Sequence, residues 1–471
     1  RIINMLDEKL SIAPMMEWTD PHFRMFMRGI TKKTVLYTEM YVDETVIYSK
    51  NLQYFMGKFI EEDPSVIQLG GYDPELLGKA AEMCQQYGGG YGELNINCGC
   101  PSQRVSKRCF GAKLMLEPER VREIVHTMKR RSNMPVTVKC RIGADDLDTY
   151  EDLLKFVTAS SAGGARKIIV HSRKCMLKGL STKQNREVPP LRYEVVHRLV
   201  KDFPELTFIL NGGIQTLEQA KTHMDHKNGF PFNGTFDTTQ SLGKLPIQDE
   251  QSFNHVLPPV HGVMLGRAAY NNPLLFATAD SEFYGVKDPC LTRRELIERF
   301  YDYCEWCQSD EGPYFIDKGN KRKSTTTSVL IAGMRNVIHG IPNTAIFRST
   351  LNDNYVEAMR TNTNTSPREI MEKSLFCLHD EDLDAPLGNP HAADDWIRTY
   401  TQNHFKVDTT SRSSSMSEKA VDLGKRSLEN TQPMEKTIMR SLPKPASVLS
   451  EEDVGESGLG SLWLEQGESA L

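Results

Sequence analysis

LTFILNGG, residues 206–213, is an apolar, partly β-branched run that ends on Asn211 and two glycines. A strand buried on both faces reads as such an unbroken run, because helices cover both sides of a parallel sheet. The same form recurs at LSIAP (10–14), TVLYTEM (34–40), SVIQLG (65–70), GELNINCG (92–99), PVTVKCRIG (135–143), ARKIIVHSRK (165–174) and HGVMLGR (261–267). Segments with helical periodicity, including DPELLGKAAEMCQQYG, PERVREIVHTMKRR and TLEQAKTHM, lie between most of them. Eight strand–helix units predict an α/β fold of the (β/α)8 TIM-barrel type. The competing open, doubly wound sheet more often carries a GxGxxG turn after its first strand, and none follows LSIAP.

The barrel accounts for residues 1–290 of the 471. Between its seventh and eighth strands, residues 225–260 are rich in Gly, Pro, Asn, Asp and Thr, which reads as an irregular surface insertion. From Leu291 to residue 379 the pattern turns wholly helical, as in RRELIERFYDYCEWCQ and STTTSVLIAGMRNVIHG, and predicts a small all-helical domain. Residues 380–471 are acidic and Ser-rich with few periodic apolar positions, the composition of a largely disordered tail.

No apolar run approaches the ~18 residues that span a bilayer, which argues against membrane integration. The ten cysteines are scattered through a long chain, unlike the dense framework of a small secreted domain, and a soluble intracellular protein, in the cytoplasm or an organelle, is expected. The chain opens on Arg1 rather than methionine, which leaves an upstream targeting segment open and the compartment unassigned. A monomer is expected. The formal charge is −5, but residues 380–471 hold 9 basic and 17 acidic side chains, leaving 48 basic against 45 acidic in residues 1–379. A slightly basic body permits a nucleic-acid partner without demanding one.

In a barrel of this kind the working residues stand at the carboxyl ends of the strands. Those ends supply Met15 and Met16, Glu39, Gln68, Asn95 and Asn97 with Cys100, Lys139 with Arg141, His171 with Arg173 and Lys174, Asn211 to Gly213, and Gly266 with Arg267. NGGI (211–214) and GR (266–267) place glycines where backbone N–H groups can approach an anion, ahead of helix starts at TLEQAK and AAYNNP. The loops after strands seven and eight are the usual phosphate site of the fold, and Arg267 can clamp a phosphate with two hydrogen bonds. The pair points to a phosphate-bearing cofactor such as FMN. Gln68 and Lys139 lie on otherwise apolar strands and suit a flavin edge, where a cation stabilises the reduced ring. Lys139 could equally close an internal salt bridge, for instance with Glu39, and His171 could be a core histidine satisfied by hydrogen bonds.

The two thiols of NINCGCPSQRV (95–105) read differently from one another. CxC without a second cluster is not a zinc pattern, so no metal is expected, and a disulfide across one glycine would be strained. Cys98 continues the strand alternation and packs. Cys100, beyond Gly99 and held by Pro101, stands at the mouth, where a thiol can give or take a proton. Cys304 and Cys307 fall inside a helical pattern and read as packing.

SIAPMMEWTDPHFR, LYTEM, QLGGYDPE, ELNINCGCPSQRV, FGAKLM, VTVKCRIGADD, IVHSRK, STKQNREVPPLRYE, LNGGI and VMLGRAAYNNP together resemble the tRNA-dihydrouridine synthases, specifically their A subfamily, over roughly residues 9–350 outside the insertion. The resemblance implies an FMN-binding barrel followed by a helical RNA-binding domain. NADPH reduces the flavin, which passes hydride to C6 of a tRNA uridine, and Cys100 gives a proton to C5. It also implies that Pro14, Met15, Met16, Gln68, Lys139, His171, Asn211, Gly212, Gly213, Gly266 and Arg267 line the FMN, that Asn97 approaches the target base, and that Lys183, Arg186 and Arg348 contact tRNA. The subfamily resembles enzymes acting on D-loop uridines 20 and 20a. The chain departs from the pattern at Ala345, where a second arginine is expected beside Arg348, and Lys318, Lys321, Arg322 and Lys323 could add phosphate contacts or form a solvated basic loop. Two other readings stay open: a flavin barrel acting on a small molecule, and a catalytically silent tRNA-binding module.

Overall fold

A computed structural model describes residues 5–387 apart from 53–55, 57–59, 88–89, 103–104, 106–107, 233–237, 245–254, 290–291, 311, 317–321 and 362–364. Eight parallel strands close a barrel: Leu10–Ile12, Val35–Val42, Ser65–Gly70, Glu93–Cys98, Val136–Arg141, Lys167–His171, Thr207–Asn211 and Gly262–Leu265. The last strand closes on the first, with Leu10 opposite Val263 and Ile12 opposite Leu265. The eight runs marked by continuous hydrophobicity are therefore the eight staves.

Strand alternation sorts side chains into two layers. Tyr37, Val66, Ile169, Ile209 and Met264 fill the interior, whereas Leu94, Ile96, Cys98, Val138 and Cys140 join the larger core under the helices. Near the amino ends of the strands the interior turns ionic. Lys167 Nζ donates to Glu93 Oε1 at 2.9 Å and to Glu8 Oε2 at 3.0 Å, all three side chains being buried. The two carboxylates hold the Lys167 ammonium charged against the cost of burying it.

Helix Pro21–Ile30 begins where Asp20 accepts Phe23 N–H at 2.7 Å and Pro21 supplies a preset φ. Its outer face carries helix Arg293–Gln308 of the region beyond the barrel. Phe26 and Phe300 meet edge to face at 5.2 Å, and His22 Nδ1 lies 2.8 Å from the Tyr303 hydroxyl. A Cβ at Gly29 would stand 2.5 Å from Leu296 Cδ1, so the helices approach at a residue with no side chain. Cys304 and Cys307 are buried in this seam, as packing residues should be.

Three features depart from the expected organisation. The insertion is not wholly irregular: Phe230–Phe232 pairs antiparallel with His255–Leu257, Phe230 stacks on His197 at 4.0 Å, and Leu242 is buried with its N–H on Asp148 O. Aromatic and aliphatic residues hidden among turn formers pin it down. The helical region also contains a short antiparallel pair, Tyr314–Ile316 with Arg322–Ser324; Arg322 and Lys323 lie on it, and Lys318 and Lys321 fall outside the described residues. The acidic stretch expected to open the tail instead forms helix Asp380–Asp384, ion-paired to Arg294 through Asp380 and Asp384. The rest of the expected tail, 388–471, lies outside the described residues, as does the 1–4 segment. Among the described residues no helix is long and apolar enough to cross a membrane.

Candidate active site

A cavity of about 390 Å³ opens at the carboxyl ends of the strands, within the ~300–1,000 Å³ usual for ligand pockets. A chain of side-chain amides crosses its floor. Asn97 Nδ2 donates to Gln68 Oε1 at 2.8 Å, Gln68 Nε2 donates to Asn95 Oδ1 at 2.8 Å, and Asn95 Nδ2 donates to Thr137 Oγ1 at 2.9 Å. Each polar group on these apolar strands is thereby satisfied. Asn97 Oδ1 accepts the N–H of Gly99 at 3.0 Å and of Cys100 at 2.9 Å, which turns the chain so that Cys100 enters the cavity while Cys98 points outward. Gly111 locks the turn from behind: its φ is 69°, its neighbour Ala112 donates to Cys100 O at 2.9 Å, and a Cβ there would stand 2.7 Å from that oxygen.

Cations surround this thiol. Lys139 Nζ donates to Asn211 Oδ1 at 3.0 Å, and Asn211 in turn donates to Met264 O at 2.8 Å. Lys139 therefore takes an amide partner rather than the carboxylate of Glu39, which instead accepts Glu17 N–H. Burial, reinforced by Arg141, pushes Lys139 down to about 8. Arg141 donates to Gly99 O at 3.0 Å and Asn185 O at 2.8 Å, tying the Cys100 turn to the segment that carries Lys183 and Arg186. Burial and then the charges of Arg141 and Lys139 drive His171 well below its ordinary value, so it stays neutral. Burial raises the Cys100 thiol above its usual range, against the pull of a backbone hydrogen bond from Ser102 and of Arg141, Arg186 and Lys139. A protonated thiol at neutral pH follows. Arg186 Nε is buried without a hydrogen-bond partner among the described residues, a donor left for a bound group.

The opposite wall is a glycine turn. Gly212 and Gly213 take φ of 113° and 73°, and Cβ atoms there would meet His171 Cδ2 at 2.6 Å and Leu191 Cδ1 at 2.5 Å. Only glycine fits both the conformation and the space. Tyr193 supports the turn from beneath, its hydroxyl donating to Gly212 O at 2.9 Å. The N–H groups of Gly213, Ile214 and Gly266 have no acceptor among the described residues. The following helices, Leu217–His223 and Arg267–Asn271, are short, so free amides and the Arg267 guanidinium, more than a helix dipole, supply attraction for an anion. Arg267 Nη1 lies 3.2 Å from Glu187 Oε1.

All eleven residues expected around the cofactor line this cavity, as do Cys100, Asn97 and Arg186. Asn97 lines the cavity with its Oδ1 on the Cys100 turn and one Nδ2 hydrogen given to Gln68. Lys183 is exposed and caps the turn Gln184–Arg186 outside the cavity wall. Arg348 is exposed on helix Thr344–Arg360 and donates to Asn336 Oδ1 at 3.2 Å, while Asn336 donates to Tyr270 O at 2.8 Å. Tyr270 stacks on Trp18 at 4.3 Å, and Trp18 lines the cavity, so Arg348 reaches the rim through one amide and two rings. Sequence reasoning assigned no task to Trp18, Tyr193 or Glu187. Arg141 was legible, two residues beyond Lys139 on the same face of the strand. Among the described residues no group of three or more His, Cys, Asp or Glu could hold a metal ion.

Such a site, a thiol and cations beside a glycine turn at the mouth of a closed barrel, is the arrangement of a barrel enzyme. Residues 11–230 match the family model for dihydrouridine synthase. The chain is 42% identical over 307 residues to the tRNA-dihydrouridine(20/20a) synthase of Vibrio parahaemolyticus, covering 65% of this chain and 82% of that one. It is 39% identical over 344 residues to the protein of that name from Synechocystis, covering 73% and 88%, and 40% identical over 298 residues to that of Escherichia coli, covering 63% and 79%. The chain belongs to the dihydrouridine synthase family.

Proposed function

We propose that the protein reduces uridines 20 and 20a in the D-loop of tRNA to 5,6-dihydrouridine, using bound FMN and NADPH as reductant, and that it acts as a monomer. The observation that carries this reading is the cavity in which Cys100 faces Lys139, His171 and Arg186 beside the Gly212–Gly213 turn. The shared name of the three relatives supports the substrate and the positions. Gly212, Gly213, Gly266 and Arg267 would hold the phosphate of FMN, with Gln68, Asn211, Lys139 and His171 along the ring edge and Pro14, Met15 and Met16 as an apolar wall. When bound, FMN carries hydride from NADPH to C6 of the uracil. C5 gains carbanion character as C6 is reduced, so the acid must stand at C5 on the face away from the flavin, and Cys100 Sγ is that donor. Burial keeps its proton in place at neutral pH. The thiolate left behind is stabilised by Lys139 and Arg141 until solvent returns the proton. Asn97 orients the Cys100 turn through Oδ1 and approaches the target base.

The uridine must leave its stack to reach so recessed a site. Lys183 and Arg186 on the barrel take flanking phosphates, and Arg348 makes the helical domain, residues 291–379, the RNA-binding part. Incubating the flavin-loaded protein with unmodified tRNA and NADPH, then mapping dihydrouridine, tests the reading. Product at 20 and 20a is expected; flavin reduction and tRNA binding without product would overturn it. Cys100→Ala should abolish turnover on unmodified tRNA, whereas Cys98→Ala keeps most of it. Equal loss in two well-folded variants would place the acid elsewhere.

A further inference from the structure

Arg267, which lines the same cavity as Gly212 and Gly213, is ion-paired through Nη1 to Glu187 Oε1 at 3.2 Å. We propose that Glu187 is a competitor built into the phosphate site: its carboxylate holds Arg267 while the site is empty and yields it to an arriving phosphate monoester. The proposal rests on reading Gly212, Gly213 and Arg267 as a phosphate site.

Glu187 is not needed to hold its own segment. The backbone there is fixed by Arg173 Nη1, which donates to Glu187 O at 3.3 Å and to Pro189 O, by Glu187 N–H on Gln184 O at 3.0 Å, and by Arg141 on Asn185 O at 2.8 Å. The buried Asn185 amide adds bonds to the carbonyls of Met176, Leu180 and Ser181. The Glu187 carboxylate can therefore swing without moving the loop. Both partners of the ion pair are about half exposed, so release into water costs little. A phosphate monoester carries about −1.5 to −2 at neutral pH and offers three acceptor oxygens, and it outcompetes a single carboxylate for a guanidinium. Glu187 also lies in the field of Arg173 and Arg186. It thus partly neutralises the three arginines in the empty site and repels the phosphate that replaces it.

Binding of FMN and of riboflavin, which lacks the phosphate, to the cofactor-stripped full chain separates this role from the others. Followed by flavin fluorescence, Glu187→Gln should tighten FMN by about one-and-a-half- to fivefold, the range of an exposed ion pair, and leave riboflavin unchanged. The gain should shrink in high salt. Glu187→Ser should behave alike, and adding Glu187→Gln to Arg267→Gln should tighten FMN less than it does in the wild type, since the ion pair is already gone and only the repulsion and the field on Arg173 and Arg186 are relieved. Weaker or unchanged FMN binding in Glu187→Gln, with riboflavin bound as by the wild type, would overturn the proposal and mark Glu187 as an orienting partner of Arg267 or as inert. An equal shift for both ligands would also overturn it. Equal wild-type affinity for FMN and riboflavin would instead remove the phosphate site itself.

Discussion

Lys139 is an ammonium at the cavity wall that donates to an amide, Asn211, and feels the charge of Arg141. Burial and Arg141 depress it to about 8, so it is largely charged at pH 7 and loses that charge as pH rises. Two consequences of opposite sign follow. In the cofactor-free protein, the unfolded chain binds more protons than the folded one between about 8 and the ordinary lysine value. Stability should therefore rise with pH across that window, because the buried charge is being removed. Cofactor binding should run the other way. With Lys139 beside an electron-rich flavin edge, FMN affinity should be steady near pH 7 and weaken above about 8, while Lys139→Met binds more weakly at pH 7 and loses the slope. Titrations of flavin fluorescence from pH 7 to 9.5 check this. An unchanged wild-type affinity over that range would exclude Lys139 as a charge partner of the cofactor.

At the scale of elements, the two ends of the barrel carry different duties. Lys167, Glu93 and Glu8 lie near the amino ends of the strands, away from the mouth and fully buried. Lys167→Met would leave two carboxylates facing each other without a cation, a change worth about 3–5 kcal/mol for a broken buried pair. Chemical denaturation should show that loss, while the folded fraction keeps its affinity for FMN. The staves were legible because a strand buried on both sides has only one kind of sequence. NINCGC divided its thiols correctly because strand parity sends Cys98 to the outer core and Gly99 resets the count before Cys100. What stayed hidden depends on partners distant in sequence. Asn97 looks like a free polar group until Gln68 and the Cys100 turn claim it, and Lys139 next to Glu39 looks like an ion pair until Asn211 is seen 72 residues away, two strands over in the barrel. The insertion disguised Phe230 and Leu242 among turn formers; the stacking of Phe230 on His197, and for Leu242 burial in the core with a backbone hydrogen bond to Asp148 O, explain them.

For the whole molecule, the question is how a neutral-to-acidic chain holds a polyanion. Its formal charge of −5 conceals a body of 48 basic and 45 acidic residues, so attraction must be local. The cations proposed for tRNA fall in two places around the cavity. Lys183 and Arg186 sit on the segment after the sixth strand, anchored through Asn185 to Arg141. Arg348 sits on a helix beyond the barrel and reaches the rim through Asn336, Tyr270 and Trp18. If both sites hold tRNA phosphates, each releases condensed counterions, and the logarithm of affinity falls with the logarithm of salt by about 0.9 per phosphate. Lys183→Ala and Arg348→Ala should each weaken tRNA binding at low salt and each lower that slope by about 1, and the double variant by about 2, because the sites share no partner. Neither should change FMN affinity. Arg267→Gln should do the reverse, weakening FMN while leaving the slope for tRNA intact once flavin is saturating. Filter binding of unmodified tRNA across a salt series reads all four proteins. A wild-type slope in Arg348→Ala would confine tRNA recognition to the barrel and leave the helical region as its structural support; a wild-type slope in Lys183→Ala would remove Lys183 from the phosphate contacts and leave Arg186 as the barrel's contact on that segment.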